Sequence, residues 1–161
     1  MSEVKFTNKS NIRNKINIVK CIGNLIFLVY IVVVLSITHV LYIKPSDFTD
    51  MHMAPNLVPL VNTISDFMVS PQSVLRQVVL NIIFFMPFGF LFTMLYLKKN
   101  KKLLKVLIIA LVFSTCIETL QFFVGRFMDI DDIIWNTSGA VIGSIIYFLI
   151  NNLRCMKKLN M

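Results

Sequence analysis

Eight side chains that can ionise or hydrogen-bond stand in or beside apolar stretches of this 161-residue chain: Asn81, Glu118, Gln121, Arg126, Asp129, Asp131, Asp132 and Asn136. In hydrocarbon such groups cost free energy unless partnered, and those that persist mark function by default. Three chemistries fit the set. The polar groups could bond one another and fix helix packing. They could line a pocket for a polar ligand or lipid head group. Or Glu118 could act as a general base, although no nucleophile-base pair or metal signature accompanies it. The run Arg126-Phe-Met-Asp-Ile-Asp-Asp has its own alternatives. Carboxylates there can cap the helix that follows, with Arg126 pairing one of them, or form an oxygen site for a divalent cation. Three aspartates alone do not make a metal site, and no metal or cofactor is assigned. His39 and His52 share no ligand spacing and are read as incidental.

Four stretches reach the length of about 20 predominantly apolar residues that a membrane-crossing helix needs. They are residues 22–43, 78–97, 103–124 and 133–150. Backbone groups must pair within lipid, so each is predicted to be a helix, with Pro87 able to kink the second. Residues 44–77 form the only sizeable connection, broken by Pro45, Pro55, Pro59 and Pro71. Within it residues 53–64 are apolar but too short for a span, which suits an interfacial or re-entrant segment. The expected organisation is a basic N-terminus over 1–21, a transmembrane domain over 22–150 and a basic tail over 151–161.

Basic residues fix the expected direction. Thirteen of the 16 lie in residues 1–21, 98–105 and 154–158. Only Lys44, Arg76 and Arg126 lie in the two segments that carry Asp47, Asp50, Asp66, Asp129, Asp131 and Asp132. The positive-inside rule then puts both termini in the cytoplasm and the acidic segments outside. The first span is too long for a cleaved signal peptide and lacks a small-residue cleavage site, so a retained signal anchor is expected.

Composition agrees with the membrane class. Apolar and aromatic residues make up 57% of the chain and charged ones 15%, with mean hydropathy +0.76. A soluble domain, a disordered chain and a coiled coil are excluded. The net charge of +8 reflects residues at span ends, so no nucleic-acid partner is expected. Cys21, Cys116 and Cys155 are too few and too widely spaced for a disulfide framework or zinc site. The preference for Lys over Arg, with abundant Asn and Ile, suggests an AT-rich bacterial genome.

Depth gathers the polar residues. Glu118 lies roughly 9 Å inside the outer end of its span and Asn81 and Asn136 roughly 5 Å inside theirs, at 1.5 Å per residue. Gln121 is at similar depth. Ser114, Glu118, Gln121 and Gly125 form one helical stripe, as do Asp132, Asn136, Gly139 and Gly143. Gly139 and Gly143 would let a neighbouring helix approach closely. The third and fourth spans are expected to face each other along these stripes, with Asn81 closing the group and Asn56 or Arg76 of the outer loop laid over it.

Four strings in this order resemble the VanZ-like family: Asn56-Leu-Val-Pro59-Leu, Asn81-Ile-Ile-Phe-Phe-Met-Pro87-Phe-Gly89-Phe, Glu118-x-x-Gln121-Phe, and Arg126-x-x-Asp129-Ile-Asp131-Asp132-x-x-x-Asn136-Thr-x-Gly139. The likeness covers roughly residues 25–150, and Leu60 stands where the family often has an aromatic. The resemblance implies a bacterial inner-membrane protein of a family associated with glycopeptide resistance, teicoplanin being the name-giving case. It carries over Asn81, Glu118, Gln121, Arg126, Asp129, Asp132 and Asn136 as motif residues. The expected architecture is an all-α bundle of four transmembrane helices. The expected function is binding of a lipid head group or cell-wall precursor near the outer face. A membrane enzyme acting on a lipid-linked envelope precursor and a structural subunit of a membrane complex are the alternatives.

Overall fold

The computed structural model describes residues 2–38, 54–97, 103–123 and 126–159. Five helices account for most of them: α1 Ser2–Ile37, α2 Val61–Val69, α3 Pro71–Tyr96, α4 Leu103–Phe123 and α5 Ile130–Leu159. Four carry stretches long and apolar enough to cross a membrane, namely Asn17–Ile37, Pro71–Tyr96, Leu103–Phe123 and Ile130–Lys157. The protein is an integral membrane protein, all-α among the described residues. Gly125, His39 and His52 lie outside those residues.

Pairings along the helices give their directions. Asn81 meets Asp132 and Thr93 meets Ser144, so α3 and α5 run parallel. Ser114 meets Asn136 and Glu118 meets Asp129 at the start of α5, so α4 runs against α5. Tyr30 reaches the Phe84 carbonyl, while Asn24 meets Tyr96, so α1 runs against α3. One end of the bundle therefore collects the last turns of α1 and α4, the first turns of α3 and α5, and α2.

The seam between α3 and α5 is backbone against backbone. A Cβ added to Gly89 would stand 1.7 Å from the Ala140 carbonyl oxygen, and one on Gly143 would stand 1.9 Å from that of Met86. At Gly139 the Ile82 carbonyl would be 2.4 Å away. Only residues without a Cβ permit such an approach. The glycine stripe of α5 thus faces α3, whereas the sequence pattern placed it against α4. Farther along, the buried hydroxyls of Thr93 and Ser144 lie 2.8 Å apart. The apolar interior continues from this seam through Phe88, Val106, Ala110 and Ala140. Phe88 stacks on Phe113 of α4 with centroids 4.9 Å apart.

Helix α3 starts at Pro71, seven residues before the apolar stretch of the sequence. Its 26 residues extend about 39 Å at 1.5 Å per residue, longer than roughly 30 Å of hydrocarbon. Pro71 suits that start, since a first-turn proline loses no helical hydrogen bond. Pro87 sits inside the helix, and the Tyr30 hydroxyl donates to the nearby Phe84 carbonyl at 2.6 Å.

Candidate functional site

Consecutive residues on a helix point about 100° apart, since 3.6 residues make a turn. At the start of α5 this separates the three aspartates into two duties. Asp129 caps the helix, its Oδ1 accepting from the Asp131 amide at 3.0 Å. The same carboxylate accepts from Asn56 Nδ2 at 3.0 Å and Asn62 Nδ2 at 2.8 Å. Backbone bonds on either side, Asn56 N to Met128 O at 2.9 Å and Ile130 N to Asn56 O at 3.1 Å, complete the clamp. Asp131 is 2% exposed. It accepts from the Leu60 amide, the Thr63 amide and the Thr63 hydroxyl, so it caps α2 from outside that helix. Leu60 needs this hold, since its φ of 64° lies in the left-handed region, where a side chain costs about 1–2 kcal/mol. Asp129 and Asp131 thus tie the segment carrying α2 to α5.

Asp132 turns the other way. Its Oδ1 accepts from Asn81 Nδ2 at 2.6 Å and from Gln77 Nε2 at 3.0 Å, both on α3. It faces a cavity of about 460 Å³ enclosed by α1, α3, α4 and α5. Asn81, Glu118, Gln121, Arg126, Asn136 and Arg76 also line it. Among the expected site residues, Asp129, Asp131 and Asn56 are not on its wall; their bonds go to the clamp. Between the polar groups the wall is apolar, with Ile37 from α1, Leu80 and Phe84 from α3 and Ile117 from α4.

Several expected pairings differ. Glu118 is 3% exposed, and its partner is the Asp129 amide at 3.5 Å. Arg126 makes no ion pair among the described residues, contrary to the expected bond with an aspartate. Instead Arg126 Nη1, at 3.5 Å, and Gln121 Nε2, at 3.2 Å, converge on the Thr38 carbonyl at the end of α1. Donors gather there because the last carbonyls of a helix have no partner within it. Asn136 donates to Ser114 Oγ at 3.0 Å, which joins α5 to α4 as the stripes suggested. Its Oδ1 accepts from no described residue. The three aspartates do not converge, and no cluster of three metal-ligating side chains is present among the described residues.

Gln77, Thr38, Asn62 and Thr63 were not visible as contributors in the sequence. Gln77 lies one residue before the apolar stretch, and the other three serve through contacts that cross between distant segments. The remaining signal was the short polar break Asn62-Thr63 inside the apolar loop segment.

A family model described as VanZ/LLP1 matches residues 23–151, which takes in every wall of the cavity. No curated protein and no solved structure matches the chain.

Proposed function

Because the chain belongs to the VanZ/LLP1 family and carries four membrane-length helices, we propose that it binds a polar lipid head group or cell-envelope precursor in this cavity. The site would open at the outer face of a bacterial cytoplasmic membrane, with both termini cytoplasmic. Binding there would alter susceptibility to glycopeptide or lipid-anchored drugs, the property attached to the family that the motifs resemble. The orientation rests on the basic residues: thirteen lie in residues 1–21, 98–105 and 154–158, and three, Lys44, Arg76 and Arg126, lie in the two acidic connections. One observation carries the reading: Glu118 and Asp132 face a common cavity without an ion-pair partner among the described residues. Charges in such a position are costly, and packing alone does not require them.

Mass spectrometry of lipids retained through gentle purification tests this. Glu118→Gln keeps volume and most hydrogen-bonding capacity but removes the charge. Retained ligand is expected to fall at unchanged protein level, as is drug protection where the protein confers it. Asp132→Asn is expected to act alike. Unchanged retention in both variants would favour helix packing as the role of these residues. Turnover of an added lipid-linked substrate would move the reading to an enzyme.

A further inference from the structure

Resting on that pocket reading, we propose that the ligand is an aminophosphate: a primary ammonium and a phosphate joined by a short linker. Two carboxylates, Glu118 and Asp132, and two guanidinium groups, Arg76 and Arg126, line the cavity. Among the described residues none of the four makes an ion pair. Their formal charges cancel. A cation alone would leave the two arginines unanswered, and an anion alone would leave the carboxylates unanswered, at the buried Glu118 in surroundings where unpaired charge is most costly. A zwitterion answers both.

The charges are sorted by depth. Glu118 is 3% exposed and Asn136 5%, whereas Arg76 and Arg126 are exposed. The two inner residues have spare acceptor capacity. Among the described residues Glu118 holds a single amide at the long limit of a hydrogen bond, 3.5 Å, and Asn136 Oδ1 is buried without a partner. Asp132 is better supplied, with two amide donors. Acceptors call for N–H donors, and a carboxylate among them calls for a cation. A primary ammonium offers three N–H groups and no acceptor, while a quaternary ammonium offers none. At the mouth, planar guanidinium groups suit a phosphate. The ammonium therefore goes inward and the phosphate stays at the arginines.

The apolar wall says where a tail would go. Ile37, Leu80 and Phe84 line the cavity and are exposed. The opening of the cavity therefore has an apolar side formed by α1 and α3, which suits a hydrocarbon chain. A lipid head group or a soluble aminophosphate satisfies the same polar chemistry, and only the lipid uses this opening.

The test offers purified protein in detergent an equal mixture of phosphatidylethanolamine, phosphatidylcholine and phosphatidylglycerol with identical chains, and weighs the retained lipids by native mass spectrometry. Phosphatidylethanolamine is expected to exceed each of the others about tenfold, the ratio that separates a charge-assisted from a neutral hydrogen bond. Glu118→Gln should remove that advantage at an unchanged melting temperature. The competition on the unaltered protein stands even if the variant folds poorly. Displacement by soluble O-phosphoethanolamine would assign the aminophosphate alone, and its failure to displace would assign the lipid. Equal retention of phosphatidylcholine would remove the need for N–H donors, and equal retention of phosphatidylglycerol the need for an amine; either overturns the proposal. Retention of none of these molecules would sink the pocket reading itself.

Discussion

Asn81 donates to Asp132 at 2.6 Å, joining α3 to α5 at the edge of the cavity. One residue earlier Asp131 points away and holds the first turn of α2. Adjacent carboxylates therefore serve cavity wall and loop clamp separately, and substitutions can tell them apart.

Asp131→Asn is expected to loosen α2 while leaving the cavity intact. An amide nitrogen in place of one oxygen cannot accept from the Leu60 or Thr63 donors it would face. The loss of such a cap is worth about 1 kcal/mol. Limited proteolysis after residue 60 should speed up, with lipid retention unchanged. Asp132→Asn should show the reverse pattern.

Gly89→Ala is expected to be among the most damaging single changes in the membrane core. Its new methyl group would lie 1.7 Å from the Ala140 carbonyl oxygen, so α3 and α5 must separate. Overpacking of this kind costs about 1–3 kcal/mol or more. Gly23→Ala meets the far end of the Leu95 side chain at 2.7 Å, which can move, and should cost less. Thermal unfolding in detergent would rank the two, and equal melting temperatures would contradict the backbone contact.

Leu60→Gly should leave the fold unchanged or slightly firmer. The left-handed φ of 64° is free of side-chain strain for glycine, and Leu60 is 41% exposed, so little packing is lost. Leu60→Val carries a branched Cβ into the same conformation and should destabilise by about 1 kcal/mol or more. A melting temperature that falls with glycine and holds with valine would contradict this geometry.

The proposed orientation is testable by cysteine labelling, with single cysteines at Lys101 and Asp50 after removal of Cys21, Cys116 and Cys155, all exposed. A membrane-impermeant reagent added to intact cells should label position 50 and spare position 101. Labelling at 101 would reverse the topology.

The spans were legible because apolar length is a direct requirement of the bilayer. The gathering of Asn81, Glu118, Gln121 and Asn136 was legible through depth, since distance from a span end is fixed by helical rise. Partner choice was not. Spacing identifies the face of α5 that holds Gly139 and Gly143, but it cannot say whether α3 or α4 lies against it. Nor could it send Asp131 and Asp132 to opposite duties, because the clamp depends on Leu60 and Thr63, about seventy residues earlier in the chain. The start of α3 at Pro71 was hidden by Gln72, Ser73, Arg76 and Gln77, whose polarity obscures a helix that outruns the hydrocarbon.

The glycine seam also divides the cavity mechanically. Where α3 and α5 touch through backbone, there are no side chains to re-pack, so those two walls hold a fixed separation. On α1, by contrast, only Gly23 and Val34 are buried among the described side chains, and it is held at the cavity by a few contacts: the Thr38 carbonyl shared by Gln121 and Arg126, the Tyr30 hydroxyl on the Phe84 carbonyl, and Val34 against Phe85 and Ile117. Any adjustment to ligands of different girth is then expected from α1, against the closer α3–α5 frame. Size tolerance and chemical selectivity would accordingly be set by different helices and could be altered independently.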